Sequence, residues 1–395
     1  MTPTTSYPPD LEAWWLAVAG RRLRLRDPKT IAQRLAATAG RLSDAFTVGR
    51  QANFSDCYAD PLTVAAYGNY FFPQTYVRAR LAVGELIARC GWSPPAGRPL
   101  RVTDLGGGAG AALIAAVDLI AEQFSQTQFD AAVVDRSAVA LKLYRHLTRD
   151  RRKRHLFKSA AVSADLAAPS AWPDLAPRDL IIASFSLGEA FYEKPDAAVL
   201  DWLAAMREKL TASGLLIILE PALKETAERL ERLRDLIVSD GGAARWHVWA
   251  PCLHEKPCPL LAGKKHWCHE VRHWPVPPTV NRINDQLRRR VWDLKYSFLA
   301  LGAAPPPAAP GAADGGDPRR VRLLTPAVSG HGRLLLSGCN AAGEHADYDL
   351  LKRRLDPLTA KQFARLQRGE VVTFSAIEQL GGSCQYRCAG LTPIC

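Results

Sequence analysis

The sequence lacks long hydrophobic runs. None of its 395 residues falls in a stretch of about 18 uncharged apolar residues, so no transmembrane span is predicted. A secretory signal is not predicted either, because Asp10 and Glu12 precede the apolar stretch 14–20 and the arginines follow it. The same early acids disfavour a mitochondrial transit peptide. We therefore expect a cytoplasmic protein with no membrane partner.

The composition also lacks the signature of a disordered chain. Hydrophobic residues make up 48% and charged residues 23%, which is ordinary for a folded protein. At this length the chain predicts two to three domains. No internal repeat is visible, and we expect a monomer.

Acidic residues are few relative to basic ones. The chain has 39 Asp and Glu against 51 Lys and Arg, a formal charge of +12. Such an excess suits a polyanionic partner such as RNA, although a GC-rich genome would also inflate arginine. Three basic runs could neutralise backbone phosphates: the run 149–154, the run 288–290 and the run 352–354. The alternative for each run is a solvated surface.

The composition and the hydrophobic pattern change along the chain and predict six segments. These are a helical N-terminal region (1–92), an α/β core (93–249), a Cys-rich metal-binding loop (250–279), a helix and strand that complete the core (280–302), a flexible linker (303–318), and C-terminal strands with a tail (319–395).

Short apolar runs alternate with helical patterns in the core. The runs predict buried parallel strands at 100–105, 131–135, 180–185 and 214–220. This alternation predicts a doubly wound α/β sheet. Further strands are predicted at 296–301, 320–324, 333–337 and 371–374.

A glycine-rich turn follows the first predicted strand. Residues 102–110 read VTDLGGGAG, and glycines let a backbone approach a ligand closely while the following helix start offers free N–H groups. Asp135, at the end of the next strand, could accept hydrogen bonds from a ribose. A nicotinamide or flavin dinucleotide would favour Gly-x-Gly-x-x-Gly, and the pattern here is Asp-x-Gly-x-Gly-x-Gly.

The glycine turn resembles the first motif of class I S-adenosylmethionine-dependent methyltransferases. That resemblance implies that Asp104 helps to position the methionine part of the cofactor, and that the strand end at Ser184 lines the methyl-transfer site. The cofactor-binding residues predicted in this way are Asp104, Gly106, Gly108, Gly110, Asp135 and Ser184. The sequence has no Asn/Asp-Pro-Pro-Tyr/Phe motif after that strand, and it gives no catalytic base. A retained fold with an inactive pocket is the alternative.

Three of the nine cysteines lie close together in the loop 250–279. Cys252, Cys258 and Cys268 follow a Cys-x5-Cys-x9-Cys spacing, and Cys339 can supply a fourth ligand if its strand lies beside the loop. Four thiolates suit either zinc or a [4Fe–4S] cluster. Compact Cys-x2-Cys pairs, which favour zinc, are missing, so the wider spacing favours the cluster.

Alternatives to a four-cysteine site stay open. A mixed zinc site could use one of the spare ligands His254, His266 and His269. Unligated core thiols are the other alternative. We expect Cys57 and Cys90 to lie elsewhere as ordinary thiols, and the tail cysteines Cys384, Cys388 and Cys395 to be dispensable.

Taken together, these motifs resemble the methyltransferase-like small-ribosomal-subunit assembly factors, which are known from mitochondria and have bacterial relatives. The resemblance covers roughly residues 60–375. It rests on Ala250-Pro251-Cys252-x-His254, Cys258-Pro259-Leu260, Trp267-Cys268-His269, the glycine turn, Glu220-Pro221, Leu294-Lys295-Tyr296-Ser297-Phe298 and Lys352-Arg353-Arg354. The chain departs from that pattern at Ala109, where proline is frequent, and at Ala222, where glycine is common.

The resemblance implies a class I methyltransferase-like fold that binds S-adenosylmethionine. It also implies a [4Fe–4S] cluster on Cys252, Cys258, Cys268 and Cys339, and binding to small-subunit rRNA or to the ribosomal subunit, with little or no methyl transfer. Two rivals remain: a non-catalytic rRNA-binding assembly factor, and a methyltransferase of a small molecule or peptide whose metal site is structural.

Overall fold

The computed structural model describes residues 6–47, 58, 60–149, 151, 157–172, 176–239, 245–263, 266–289, 291–307, 316–381 and 384–394. Several residues singled out in the sequence lie outside this part of the chain. They are Cys57, Arg152, Lys153, Arg154, Arg290, half of the predicted linker (308–315) and Cys395.

The α-helices are short to medium in length and concentrate in the first half of the chain. They are α1 (Pro9–Leu23), α2 (Pro28–Thr47), α3 (Pro61–Ala66), α4 (Phe72–Cys90), α5 (Ala111–Gln123), α6 (Ala138–Thr148), α7 (Leu187–Ala190), α8 (Asp196–Glu208), α9 (Lys224–Ser239), α10 (Pro259–Gly263), α11 (Pro278–Leu287) and α12 (Pro357–Phe363). A π-helix (Tyr67–Phe71) joins α3 to α4. Among the helices of the described residues, none is both long and apolar enough to cross a membrane.

The N-terminal helices follow from their end signals and one apolar face. Helix α1 has a proline in its first turn with Asp10 and Glu12 beside it, and it buries Leu11 and Trp15. The ring of Trp15 lies directly against Gly68, where a Cβ would overlap it. These helices share one hydrophobic core with α4 and α5. The predicted helical region is therefore packed onto the α/β core.

The strands form two sheets. They are β1 (Leu100–Leu105), β2 (Phe129–Asp135), β3 (Phe157–Ser163), β4 (Arg178–Ser184), β5 (Leu210–Glu220), β6 (His247–Ala250), β7 (Glu270–His273), β8 (Asp293–Gly302), β9 (Arg320–Leu323), β10 (Val328–Ser329), β11 (Arg333–Asn340), β12 (His345–Leu351), β13 (Val371–Gln379) and β14 (Gln385–Ile394).

The first sheet is the predicted doubly wound sheet. Its order is β3-β2-β1-β4-β5-β8-β6, and β7 pairs with the far end of β8. The five strands from β3 to β5 are parallel, whereas β8 runs antiparallel to β5 and to β6. The order reverses between β1 and β4, the position at which open α/β sheets bind ligands beyond their carboxyl ends. The glycine turn follows β1 at that edge.

The second sheet closes into a barrel. Strand β9 pairs with both β11 and β13, so the order β9-β11-β12-β14-β13 returns to its start, and β10 adds to the outer side of β11. Its interior is apolar, and Tyr348, Phe374 and Phe363 stack within it. Phe363 comes from α12, which lies between β12 and β13 in the chain. The strands predicted from the apolar runs at 320–324, 333–337 and 371–374 are confirmed as parts of this barrel.

Candidate cofactor site and cysteine cavity

The glycine turn requires glycine at its key positions. Gly106, Gly108 and Gly110 have φ values of +64°, +55° and +85°, which L side chains rarely adopt. A Cβ on Gly110 would also lie 2.5 Å from the Tyr144 ring. The turn is therefore closely packed, and its conformation aims backbone N–H groups at the end of β2.

Asp135 contacts that turn. Its Oδ2 accepts a hydrogen bond from the Gly108 N–H at 2.8 Å, and its Oδ1 accepts one from the Ser137 N–H at 2.7 Å. Burial raises the pKa of Asp135, while both hydrogen bonds act to lower it. Each carboxylate oxygen keeps a further lone pair, so a ribose hydroxyl can bind beside the backbone donors.

Asp104 lies under the turn and is completely buried. Its Oδ2 accepts a hydrogen bond from the Leu113 N–H at 3.1 Å in the first turn of α5. Its Oδ1 has no hydrogen-bond partner among the described residues. Burial, with a smaller contribution from Asp135, raises the pKa of Asp104 to about 7. The residue therefore fixes the start of α5 from beneath the glycine turn.

The carboxyl end of β4 carries an unusual backbone. Ser184 is buried and its hydroxyl has no partner among the described residues. Phe185, the next residue, has φ +58°, a conformation that costs free energy in a non-glycine residue and that clusters at functional sites. Ser186 then donates to the Leu105 carbonyl at 2.8 Å and lies against Gly106. This strand end therefore borders the glycine turn.

Arg78 and Tyr58 contribute to the same region, and sequence reasoning missed both. The Arg78 guanidinium lies 5.2 Å from the centre of the Phe185 ring. Its hydrogen-bond partner is Gln74 Oε1 at 3.2 Å, no carboxylate pairs with it among the described residues, and burial lowers its pKa to about 10. The Tyr58 hydroxyl accepts a hydrogen bond from the Ala109 N–H at 3.2 Å. No sequence signal distinguishes these two residues from their many neighbours of the same type.

Catalytic residues stay unassigned. Glu189 is exposed on α7. Glu220 is buried at the end of β5, where its Oε1 accepts a hydrogen bond from the Gly188 N–H at 2.9 Å.

The four predicted cysteine ligands line one cavity. Cys252, Cys258 and Cys268 come from the loop 250–279 and Cys339 comes from β11, and the cavity has a volume of about 50 Å³. The strand of Cys339 thus lies beside the loop, which is the condition under which Cys339 could supply a fourth ligand. Within the described residues, however, no three Cys, His, Asp or Glu side chains form a group that could hold a metal ion.

The cavity raises the pKa of its thiols. Burial, then the neighbouring Cys252 and the carboxylate of Glu231, raises the pKa of Cys258 to about 12. Burial and the same neighbours hold the pKa values of Cys268 and Cys339 well above the usual range. Without metal, these three thiols are therefore protonated at neutral pH.

Helix α9 holds the cysteine loop through its acidic side chains. Glu231 Oε1 accepts a hydrogen bond from the Cys268 N–H at 2.6 Å, and its Oε2 lies 3.7 Å from the Cys258 sulfur. The Asp235 carboxylate accepts the Cys258 N–H at 2.9 Å. Burial raises the pKa of Glu231 to about 7. The positions of two cysteines are thereby fixed by a helix of the α/β core.

Two buried guanidinium groups also border the cavity. Arg234 donates to the carbonyls of His254 and Lys256. Arg322, from β9, donates to Glu85 and Glu270, each at 2.6 Å, and to the Pro251 carbonyl at 3.3 Å. Both place positive charge beside the thiols.

The histidines considered as alternative ligands take separate places. His254 lines the cavity, and burial lowers its pKa to about 4. His269 stacks on Trp267 with ring centres 5.5 Å apart, and His266 lies against His345. Of the other cysteines, Cys90 donates to the Trp249 carbonyl, Cys388 is buried in the barrel and Cys384 is exposed.

The basic runs are not equivalent, and the first prediction needs correction. Arg151 is buried and forms ion pairs with Asp118 and Asp10, so it cannot contact phosphate from that position. In the second run, Arg289 pairs with Asp44 at 2.7 Å. The third run begins a 3-10 turn directly after β12, where its two arginines are exposed.

A comparison with solved structures finds methyltransferases that have low sequence identity to this chain and low TM-scores. An amino pentose methyltransferase from Micromonospora echinaspora is 19% identical with a TM-score of 0.25, over 36% of this chain and 50% of that one. The citrinin polyketide synthase CMeT domain is 16% identical with a TM-score of 0.37, over 69% and 66%. A ribosomal protein L11 methylase from Lactobacillus delbrueckii subsp. bulgaricus is 15% identical with a TM-score of 0.29, over 58% and 78%.

The chain thus spans about half of the first of these proteins and about two thirds of the second. TM-scores this low do not establish a shared function or site. A comparison with curated protein sequences finds no match. A family model does match, over residues 61–370, and its description is mitochondrial small ribosomal subunit Rsm22. This match includes the glycine turn, the four cavity cysteines and most of the barrel, and the chain therefore belongs to the Rsm22 family.

Proposed function

We propose that the protein binds S-adenosylmethionine at the glycine turn and acts on or with small-subunit rRNA in ribosome assembly. The observation that carries this proposal is the family match, whose description names the small ribosomal subunit. The formal charge of +12 adds to it, since rRNA is a polyanion. A cytoplasmic location and a monomeric state stay predictions.

The residues at the turn fit the cofactor. The Asp135 carboxylate can accept ribose hydroxyls. Asp104 helps to position the methionine part from beneath the turn, where it accepts the Leu113 N–H and fixes the start of α5. The bound cofactor supplies an activated methyl group. Ser184 and Phe185 then border the space beyond the strand end, with Arg78 over the Phe185 ring.

Calorimetry of cofactor binding tests this site. Gly108→Val is expected to abolish binding because the residue needs φ +55° and a Cβ there would lie 2.4 Å from the Tyr58 hydroxyl. Gly316→Val is the matched control, since a Cβ on Gly316 meets nothing within 4 Å. Unchanged affinity in a folded Gly108→Val protein would contradict the site.

We also propose that Cys252, Cys258, Cys268 and Cys339 hold a [4Fe–4S] cluster. The donor set supports it, because four thiols line one cavity. Arg234 and Arg322 offset the negative charge of such a site. Zinc, with His254 as a spare ligand, is the alternative.

Methyl transfer and RNA binding are separable experimentally. Purified protein with labelled cofactor and isolated small-subunit rRNA either labels the RNA or binds it without labelling. The first result supports an enzyme acting on rRNA, and the second supports a non-catalytic assembly factor. Failure to co-sediment with the small subunit on a gradient would favour the remaining rival, a methyltransferase of a small molecule or peptide.

A further inference from the structure

The C-terminal barrel has the connectivity of a known nucleic-acid-binding architecture. Five strands close in the order β9-β11-β12-β14-β13, β12 and β14 are parallel, and α12 connects β12 to β13. This is the arrangement of the OB-fold, in which the face of the second and third strands and the adjoining loops bind oligonucleotides. A fold alone assigns no function, so the surface has to supply the chemistry.

One end of the barrel is used for packing on the core. Cys339, late in β11, lines the cysteine cavity, and Arg322 of β9 reaches Glu85 and Glu270. Arg368, before β13, donates to the His269 carbonyl at 2.6 Å. The start of β11 lies six residues before Cys339, which is about 20 Å along a strand. The opposite end therefore stands away from the core.

That opposite end carries unpaired positive charge. Arg353 and Arg354 are exposed, and neither has a hydrogen-bond or ion-pair partner within the described residues. The Lys352 ammonium donates to Ser329 Oγ at 2.6 Å, so the turn that bears these arginines is fixed against β10. Over 319–394 the sequence has 11 Lys and Arg against 6 Asp and Glu, a difference of +5.

The same end exposes apolar side chains. Val328 and Leu335 are cross-strand partners on β10 and β11, and the two residues are 57% and 45% exposed. Arg333, two residues before Leu335, pairs with Asp349 at 3.2 Å on the surface. A surface that pairs apolar contacts with free guanidinium groups suits unstacked bases and the phosphates beside them.

We propose that this surface, the barrel rim (Val328, Arg333, Leu335, Arg353 and Arg354), binds single-stranded RNA. Arg353 and Arg354 contact backbone phosphates, and Val328 with Leu335 contacts bases and ribose. The rim is an RNA site separate from the glycine turn, which is the proposed cofactor site. Its ligand class rests on the proposed rRNA function, but its binding does not depend on cofactor or on methyl transfer.

Fluorescence anisotropy of the full-length chain with a labelled oligouridine RNA of about 12 nucleotides tests the rim. Arg353→Ala combined with Arg354→Ala should weaken binding roughly tenfold and reduce the slope of log affinity against log salt by about 1.4, since each phosphate contact contributes about 0.7 for single strands. Arg22→Ala with Arg26→Ala removes the same charge from exposed positions of the N-terminal region and should leave the slope unchanged. Leu335→Ser should weaken binding without a change of slope.

The outcomes separate this proposal from the proposed function. Equal affinity of the Arg353/Arg354 variant and the control variant would overturn the rim. An RNA duplex of equal length that binds as tightly as the single strand would overturn the single-strand assignment. If the wild-type chain fails to bind the cofactor or to co-sediment with the small subunit, the proposed function is contradicted. RNA binding at the rim can still be measured in that case.

Discussion

Cys339 lies directly opposite Arg322 on neighbouring antiparallel strands of the barrel. Cys339 lines the cavity shared with the cysteine loop, while Arg322 pairs with Glu270 from β7 and Glu85 from α4. This cross-strand pair connects the barrel, the α/β core and the cavity. A substitution at either residue should therefore also affect the stability of the α/β core.

Replacing Arg322 with methionine should destabilise the protein by about 3 kcal/mol, because the buried Glu270 and the half-buried Glu85 each lose one of two guanidinium partners. Arg272 still pairs with Glu270, and Arg89 still pairs with Glu85. Urea unfolding measures this loss. The control is Arg319→Met, since Arg319 pairs with Asp317 in a solvent-exposed position and such pairs contribute at most about 1 kcal/mol. If the Arg322 variant loses less unfolding free energy than the control variant, Arg322 is not the central cation of this interface.

Stability should depend on pH through Asp104. Burial raises the pKa of this carboxyl from 3.8 to about 7, so the folded protein holds a proton that the unfolded chain releases. The stabilisation is complete below pH 3.8 and is lost as the pH rises to about 7. Asp104→Asn keeps an acceptor for the Leu113 N–H and cannot ionise. Urea unfolding should show the variant gaining stability relative to wild type between pH 5 and pH 8, and a constant difference would refute this.

Arg151 should behave as a structural residue. Its ion pair with Asp118 is buried, and Asp118 also accepts a hydrogen bond from the Tyr76 hydroxyl at 2.8 Å. Arg151→Ala should lower the unfolding free energy by about 3–5 kcal/mol and leave the salt dependence of RNA binding unchanged. A smaller salt slope with unchanged stability would restore the interpretation of this residue as a phosphate contact.

The sequence predicted those strands of the first sheet that are marked by a local run of apolar residues. Four parallel strands were visible as apolar runs because they are buried on both faces. Strand β3 was missed, since it lies at the sheet edge and several of its residues, among them Lys158, are exposed. Barrel closure was also missed, because it depends on pairing between β9 and β13, whose first residues lie 51 positions apart.

The candidate site also contains some residues that a local pattern predicts and others that depend on tertiary packing. The glycines and Asp135 follow a local motif, and the loop cysteines follow a spacing, so both groups could be named from residue types. Arg78 and the positive φ of Phe185 arise from tertiary packing and leave no local signal. A run of basic residues usually indicates an exposed surface, but Arg151 is buried. Its partner Asp118 lies 33 residues away in the chain, so no local pattern shows this ion pair.

Loss of metal should loosen the core as well as the cysteine loop. Cys339→Ser removes the one ligand that comes from the barrel, so both the metal content and the unfolding temperature should fall. Cys384→Ser is the control, because Cys384 is exposed and lies outside the cavity. Full metal content in the Cys339 variant would contradict the proposed ligand set.

Metal and sulfide analysis of anaerobically purified protein, with its absorbance spectrum, tests the central claim most directly. The account predicts about four irons and four sulfides per chain, with broad visible absorption that disappears in Cys339→Ser and persists in Cys384→Ser. One zinc per chain and no iron would contradict it.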